Sequence, residues 1–387
     1  MKISSRIEAI DMLRGLVILL MALDHTRDFF GHSGMNPRDI HEPWLFMTRW
    51  VTHLCAPTFI FLAGISIYLW EQRHSKKEAS RFILFRGLWL IFLEFTLVRV
   101  GWTFDVIPGF MLAQVIWVLG VSMVLMSLTL YLPVKWLALL SLIMIGGHNV
   151  FDKMSAEKLT AYKDIWRVLH EPALLNLGKN VELFITYPLI PWLAVMSLGY
   201  CCGRFFLQAP ASRIRYYLIF GITSLALFSI LRFSNEYGDP MPWIDQGTIS
   251  TKILSFINCE KYPPSLLYLL MTLGVASLLL VFMEKATTGI RQFLVVFGRV
   301  PLLFYLVHLP LIHGYTIIFA VVKGEKTEWL FKEPFFSKPV DYGYNLSTVY
   351  VIWIIVIAFM YPVCVKYWRF KQKHSNLSLF FYIRNKQ

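Results

Sequence analysis

The stretch Asp11-Met-Leu-Arg14-Gly-Leu-Val-Ile-Leu-Leu-Met-Ala-Leu-Asp24-His25-Thr-Arg-Asp28 is an apolar run with ionisable residues at both ends. On an α-helix, the step from Arg14 to His25 is three turns plus about 20°, with a rise of roughly 16 Å. The i+3/i+4 spacing therefore predicts one helical stripe of residues: Asp11, Arg14, Ile18, Met21, His25, Asp28 and His32. Charged groups inside hydrocarbon are costly and face partners, water or a bound molecule. The stripe thus predicts a membrane helix with a functional polar edge.

The composition around this helix is that of a polytopic membrane protein. The chain has 387 residues, of which 57% are hydrophobic and 16% are charged. Apolar windows of about 20 residues, the length that crosses a bilayer, recur throughout. The sequence predicts ten spans: 10–30, 45–70, 82–101, 109–132, 134–150, 183–206, 216–231, 265–283, 297–322 and 347–367. We predict an all-α fold, a polytopic integral membrane helical bundle of about ten transmembrane helices, as a single transmembrane domain over residues 1–387.

The basic residues behind the net charge of +13 are distributed as the predicted topology requires. Basic residues concentrate in alternate connecting segments, such as 73–81 and 204–215, whereas the other segments balance bases with acids. This positive-inside pattern predicts two cytoplasmic termini and a multi-pass protein of the cell (inner) membrane. The basic excess fits orientation and contact with the lipid bilayer, so we expect no nucleic-acid partner.

The sequence lacks the motifs of several other chemistries. It contains no P-loop, no Gly-x-Ser-x-Gly elbow and no His/Cys cluster with metal-ligand spacing. Its five cysteines form no framework and are expected to be small buried hydrophobes. We therefore expect no metal, no ATP and no serine nucleophile.

Several motifs resemble one family of membrane enzymes. Arg14 and His25, which have ten residues between them, resemble the arginine–histidine motif on the first helix of membrane acyltransferases that modify extracytoplasmic glycans. The chain further resembles the heparan-α-glucosaminide N-acetyltransferase catalytic-domain family, including its bacterial members. The motifs that carry this likeness are Asp11-Met-Leu-Arg-Gly-Leu16, Ala56-Pro-Thr-Phe-Ile-Phe-Leu-Ala-Gly64, Arg86-Gly-Leu-Trp-Leu-Ile91, Tyr187-Pro-Leu-Ile-Pro-Trp192, Tyr237-Gly-Asp-Pro-Met-Pro-Trp243, Lys261-Tyr-Pro-Pro-Ser-Leu266 and Leu303-Phe-Tyr-Leu-Val-His308.

The resemblance implies transfer of an acetyl group from cytoplasmic acetyl-CoA, the co-substrate, to an amine or hydroxyl of a sugar or glycan outside the membrane. It is also compatible with a homodimer. This chain departs from the family pattern at one histidine. In the lysosomal enzyme that it resembles, an asparagine occupies the position of His25, and the functional histidine follows shortly after the first span. His32 and His41 are therefore alternative candidates for that role.

Three histidines are candidate catalytic residues. His25 is interpreted as a general base or a transient acyl carrier, with Asp24 or Asp28 fixing its tautomer and raising its basicity. His53 would orient the acceptor or share the proton, and His308, in the middle of the ninth span, would close the site from the opposite side. The alternative for each is a structural histidine bonded to a neighbouring group.

Candidate ligand-binding residues lie at both ends of the spans. Arg14, Arg86 and Arg299 fall near cytoplasmic ends, where guanidinium groups would bind the phosphates of CoA; snorkelling to lipid headgroups is the alternative. The candidates for binding the acceptor at the outer mouth are His32, Tyr187, Trp192 and Asp239. An interfacial aromatic belt would give the same composition without a substrate.

Two further interpretations remain open at this point. Glu94 lies near the middle of the third span, and we expect it to form an ion pair with Arg99. The alternative is that its carboxylate takes up and releases a proton. Ionisable residues inside spans are also typical of proton-coupled transporters of small solutes, which is the alternative function for the whole chain.

Overall fold

Helices make up most of the chain in this computed structural model, which describes residues 7–107, 109–178, 181–245, 247–331 and 337–374. The helices are α1 (Glu8–Phe30), α2 (Pro43–Thr52), α3 (Cys55–Glu71), α4 (Lys76–Leu93), α5 (Arg99–Thr103), α6 (Val115–Thr129), α7 (Val134–Gly147), α8 (Lys163–Leu169), α9 (Leu189–Phe206), α10 (Pro210–Ser234), α11 (Ile249–Ile257), α12 (Leu266–Glu284), α13 (Thr288–Arg299), α14 (Pro301–Lys323) and α15 (Leu346–Lys373). Short 3₁₀ segments cover His148–Phe151, Ala156–Tyr162 and Glu328–Phe331. A π-helical turn, Glu94–Val98, links α4 to α5.

Side-chain caps set the starts of several helices. Ser75 and Glu78 form a capping box at α4, in which each side chain bonds the backbone N–H of the other. The hydroxyl of Ser265 accepts from the N–H of Tyr268 at 3.0 Å at the start of α12. Asn345 accepts from the N–H of Thr348 at 3.0 Å at the start of α15. These bonds satisfy N–H groups that a helix start leaves without an intrahelical acceptor.

Seven helical segments among the described residues are long and apolar enough to cross a membrane. They are Pro43–Glu71, Val134–Phe151, Leu189–Phe206, Pro210–Ser234, Leu266–Glu284, Pro301–Lys323 and Leu346–Lys373. Each overlaps one of the ten predicted spans. Helix α1 covers the predicted span 10–30, but its charged residues exclude it from this apolar set. The mostly helical architecture is confirmed, while the number of ten spans and the side of the termini stay predictions.

A small sheet replaces helix at the start of two predicted spans. The span 109–132 begins with strand β1 (Phe110–Ala113), and the span 183–206 begins with strand β3 (Glu182–Ile185). These two strands are parallel, with Phe110 opposite Glu182, and strand β2 (Ala173–Asn176) pairs antiparallel with the other side of β3. The prediction of continuous helix was wrong here because strand pairing between distant segments satisfies their backbone groups.

Two other predicted spans are interrupted. The span 297–322 breaks at Val300, whose backbone is not helical (φ −132°, ψ 45°), because the residue before a proline avoids helical geometry and Pro301 follows. The span 82–101 is helical to Leu93 and then passes through the π-helical turn into α5. A π-helical turn inserts one extra residue per turn, which rotates the side chains that follow.

The described elements group into two compact units whose segments alternate along the chain. The larger unit consists of Met1–Ile7, Pro37–Phe95 and Gly109–Lys285, and the smaller unit consists of Glu8–Asn36, Thr96–Pro108 and Ala286–Gln387. The smaller unit therefore combines α1 with α5, α13, α14 and α15. Whether the whole chain acts as one domain stays a prediction.

Close packing within both units is achieved at glycines. In the larger unit, a Cβ on Gly64 of α3 would lie 1.9 Å from the carbonyl oxygen of Met196, and one on Gly199 of α9 would lie 2.1 Å from that of Phe61. In the smaller unit, a Cβ on Gly298 of α13 would lie 1.8 Å from the carbonyl oxygen of Asp11. Such distances mean that the helix backbones touch directly, as small residues allow in membrane bundles.

We expect Gly199→Ala to destabilise the larger unit by about 1–3 kcal/mol, because α3 and α9 must separate to admit the methyl group. The measurement is the thermal unfolding midpoint of the purified protein in detergent. Gly146→Ala on α7 is the matched control, since no atom lies within 4 Å of its added Cβ and alanine favours the helix. Equal midpoints for the two variants would contradict the contact.

Candidate active site

His25 on α1 and His308 on α14 form a hydrogen-bonded pair in the smaller unit. Nδ1 of His25 lies 2.7 Å from Nε2 of His308. Nδ1 of His308 donates to the carbonyl oxygen of Phe304, 2.8 Å away and one turn earlier. His308 is completely buried, whereas His25 is partly exposed. The pair thus connects a buried ring that has defined partners to a partly exposed ring.

Aromatic side chains enclose the His25 ring. The Trp102 ring lies edge-on to it at 4.9 Å between centroids, and the Tyr305 ring lies edge-on at 6.2 Å. Trp102 is 1% exposed and stacks on Phe29 at 5.3 Å. These contacts restrict rotation of the imidazole and surround it with apolar surface, which strengthens the hydrogen bonds that it makes.

His313 extends this aromatic group along α14. Its ring stacks between Phe29, at 4.9 Å, and Phe104, at 4.0 Å. Nδ1 of His313 donates to the carbonyl oxygen of Gly101 at 3.2 Å. The ring therefore links α14 to the segment that carries Trp102.

Asp24 and Asp28 share a partner at the C-terminal end of α1. Nη2 of Arg27 lies 2.6 Å from the Asp24 carboxylate and 3.3 Å from the Asp28 carboxylate. Nδ1 of His25 is bonded to His308, so the residue that sets the geometry of this ring nitrogen is a histidine. The catalytic roles of Asp24 and Asp28 stay predictions.

Lys338 binds the carbonyl end of α1. Its ammonium donates to the carbonyl oxygens of Asp28, at 3.0 Å, and of Gly31, at 2.5 Å. Helix ends leave such carbonyls without intrahelical partners. Burial lowers the pKa of Lys338 to about 8, and the nearby Asp28 carboxylate opposes that shift. The backbone of Tyr344 adds a 2.8 Å bond to the carbonyl oxygen of Phe30.

His32 lies beyond this end of α1 and is exposed. The predicted stripe is therefore helical from Asp11 to Asp28 but does not include His32, because the helix ends at Phe30.

An ionic cluster occupies the opposite end of α1. Arg14 lies 3.2 Å from Asp11, and Arg299 lies 3.2 Å from Glu8 and 3.9 Å from Asp11. The Arg299 guanidinium also lies over the Trp368 ring, 4.5 Å from its centroid. Arg291 lies 3.9 Å from Glu8. Three guanidinium groups thus meet two carboxylates, which leaves a net positive charge.

The remaining candidates lie in the larger unit. Arg86 on α4 is exposed, with Phe82 5.9 Å from its guanidinium. His53 is buried at the end of α2, with its ring 5.3 Å from that of Tyr268. Trp192 is fully buried, and its ring lies 5.6 Å from that of Tyr187, which in turn contacts Tyr262 at 5.3 Å.

Asp239 is held by several protein groups. It accepts from the Ser265 hydroxyl at 2.6 Å and from the backbone N–H groups of Glu260 at 2.9 Å and Met241 at 3.0 Å. Burial raises the pKa of Asp239, and these hydrogen bonds oppose the shift. These contacts hold the loop that carries Tyr262.

Glu94 and Arg99 each bind backbone groups in place of the expected ion pair. The Glu94 carboxylate accepts from the N–H groups of Gln114, at 3.2 Å, and Trp117, at 2.9 Å, and so caps the start of α6. The Arg99 guanidinium donates to the carbonyl oxygens of Asp105 and Ile107, each at 2.9 Å. Backbone N–H groups at the start of a helix and backbone carbonyls in the following loop are therefore the partners of these two side chains.

Four site residues were not among the predicted set: Arg27, Trp102, Tyr305 and Lys338. The spacing of Arg27 from Asp24 and Asp28 is a visible signal in the sequence. The contacts of Trp102 and Lys338 depend on long-range packing and have no local pattern. Among the described residues, no three His, Cys, Asp or Glu side chains form a group that would hold a metal ion; the expected absence of a metal stays a prediction.

Arg232 provides a stability test for the loop that contains Asp239. Its guanidinium is 2% exposed and donates to four carbonyl oxygens, those of Met241, Ser255, Phe256 and Asn258. We expect Arg232→Lys to cost about 3 kcal/mol, because an ammonium cannot reach all four acceptors. Thermal unfolding measures the loss, with the exposed Arg215→Gln on the same helix as a control. A midpoint unchanged from the parent protein would contradict this role.

Comparison with known proteins identifies the family of the chain. A family model described as heparan-alpha-glucosaminide N-acetyltransferase, catalytic, matches residues 6–244. No curated protein matches the sequence significantly. The matched region contains α1 with Arg14 and His25, and it covers more than half of the chain. The chain therefore belongs to the heparan-α-glucosaminide N-acetyltransferase catalytic-domain family.

Proposed function

We propose that this protein is a membrane-embedded acyltransferase that moves an acetyl group from cytoplasmic acetyl-CoA to an amine or hydroxyl of an extracytoplasmic sugar or glycan. Membership of an acetyltransferase family supports the reaction class. The observation that carries the proposal is the His25–His308 pair, since a partly exposed imidazole bonded to a buried partner suits a general base or acyl carrier.

Two routes lead to the same products. In the direct route, the acceptor attacks the thioester carbonyl while His25 takes its proton, the C–S bond breaks, and the proton passes to the CoA thiolate. In the covalent route, His25 attacks first and CoA leaves as the thiolate. The acceptor then displaces the imidazole from the acyl group, and its proton passes to the thiolate. Both routes convert acetyl-CoA and acceptor into acetylated acceptor and CoA, with no other reactant.

Arginines of the cytoplasmic side are proposed to hold CoA. Arg14 and Arg299 belong to the ionic cluster whose excess positive charge favours phosphate. Arg86 is proposed as a third contact because its exposed guanidinium lies outside any ion pair among the described residues. Arg14 lies about 16 Å along α1 from His25, a separation that the extended arm of CoA would span.

The acceptor is proposed to contact His32 and Tyr187. His32 is exposed just past α1, and Tyr187 has an aromatic face of the kind that packs against sugar rings. The buried Trp192 ring packs against Tyr187, and Asp239 accepts a hydrogen bond from the loop that carries Tyr262. His53 is proposed to assist acceptor orientation.

The proposed location is the cell (inner) membrane, with CoA bound on the cytoplasmic side, and the proposed oligomer is a homodimer.

We expect His25→Ala to abolish acetyl transfer, since a positioned base or nucleophile contributes about 100-fold or more. The assay measures CoA released from acetyl-CoA by detergent-solubilised protein in the presence of an amino sugar. His374→Gln is the control, because this imidazole is exposed at the end of α15. Transfer at the parent rate by folded His25→Ala protein would rule out His25 as the catalytic group and favour His32 or His41.

Arg14→Ala is expected to raise the KM for acetyl-CoA by about 10- to 100-fold with a smaller effect on kcat, because a charged hydrogen bond to phosphate contributes about 1.5–3 kcal/mol. Steady-state kinetics with acetyl-CoA as the varied substrate measures this. An unchanged KM together with a lowered kcat would assign Arg14 to a structural role with Asp11.

The alternative of a proton-coupled transporter has a separate test. The proposed enzyme releases CoA faster when an amino sugar is added. Solute uptake into vesicles without CoA consumption would instead establish transport.

A further inference from the structure

We propose that His308 is a positioning residue that selects the tautomer of His25 and thereby makes Nε2 of His25 the reacting atom. The inference rests on the proposed acyl transfer for its consequence, but the tautomer itself is a property of the protein alone. The inference is argued from the hydrogen bonds that join three groups: the Phe304 carbonyl, the His308 ring and the His25 ring.

The first step is the bond between His308 and its own helix. A carbonyl oxygen only accepts hydrogen bonds. Because Nδ1 of His308 lies 2.8 Å from the carbonyl oxygen of Phe304, the ring proton of His308 is on Nδ1. His308 is completely buried, and an uncompensated charge there would be costly. The ring is therefore neutral, and its Nε2 carries a lone pair.

The second step transfers this constraint to His25. Nε2 of His308 and Nδ1 of His25 are 2.7 Å apart, a distance that requires one proton between them. Since Nε2 of His308 has the lone pair, Nδ1 of His25 has the proton. In a neutral His25 ring, the remaining lone pair is then on Nε2.

Packing holds the His25 ring in one orientation. The His25 and His308 rings are nearly parallel, with an interplanar angle of 19°, and Trp102 lies edge-on against His25 at 72°. A ring flip would move Nδ1 away from His308 and replace it with a carbon. The carboxylates nearest in sequence are bonded to Arg27, so the orienting partner is an imidazole instead of the carboxylate common in catalytic dyads.

The consequence for acyl transfer is specific to one atom. In the direct route, the acceptor proton moves to Nε2, and the resulting imidazolium keeps its Nδ1 proton on His308. In the covalent route, the Nε2 lone pair forms the new C–N bond as the C–S bond of the thioester breaks and CoA leaves as the thiolate. The thiolate takes the proton that the acceptor gives up when it displaces the imidazole. The same nitrogen reacts in both routes.

The tautomer is tested by ¹⁵N NMR of histidine-labelled full-length protein in lipid nanodiscs, with the His25 signals assigned from the spectrum of His25→Gln. We expect the proton on Nδ1 in the parent protein, whereas free histidine favours Nε2. His308→Gln retains an acceptor at this position and is expected to keep the Nδ1 proton. His308→Leu is expected to lose that preference. A proton on Nε2 of His25 in the parent protein would overturn the proposal, and this readout does not depend on enzyme activity.

Site-specific methylation tests which nitrogen reacts. Replacing His25 with Nε2-methylhistidine leaves the Nδ1 proton for His308 and is expected to abolish CoA release. CoA release at the parent rate by this variant would overturn the proposal. His308→Leu is expected to lower kcat by about 100-fold or more, with His308→Gln closer to the parent protein. If the parent protein releases no CoA with any acceptor, the proposed function fails, while the NMR result still decides the tautomer.

Discussion

Direct contact between helix backbones at glycine is the constraint on which the structure depends. Gly298 of α13 has no room for a side chain because the carbonyl of Asp11 occupies that space, and Gly15 of α1 meets Leu294 in the same way. The equivalent contacts in the larger unit are those of Gly64 with the carbonyl of Met196 and of Gly199 with the carbonyl of Phe61. Lipid chains are as apolar as leucine, so helices in a bilayer gain stability from such close packing and from polar contacts. The polar helix α1 is held in place by both.

The charges of α1 are compensated within the smaller unit. At one end, Glu8 and Asp11 meet the guanidinium groups of α13, and Asp11 also pairs with Arg14. At the other end, Asp24 and Asp28 share Arg27. Between these two groups, the buried surface of the helix is apolar until His25. This arrangement pairs the ionisable residues of α1 with groups of its own unit, and His25 is paired with His308.

Local patterns predicted much of this fold. The apolar windows located seven helices, and the i+3/i+4 spacing placed Asp11, Arg14, His25 and Asp28 on one helix. The proline at position 301 is a local signal for the helix break at Val300 inside the predicted span. The small sheet and the bond between His25 and His308 were not predictable in the same way, because they join residues far apart in sequence. Periodicity reports which face of a helix is polar, but the partner on that face is chosen by tertiary packing.

The contact between His25 and His308 also constrains how the protein is made. These residues are 283 positions apart, and α13 and α14, on which α1 packs, follow the whole larger unit in the chain. At a synthesis rate of about 5–20 residues per second, α1 leaves the ribosome roughly 15–60 s before its partners. During that interval Glu8 and Asp11 lack the guanidinium groups of Arg291 and Arg299. The packing environment of this first helix is therefore completed only when translation is almost finished.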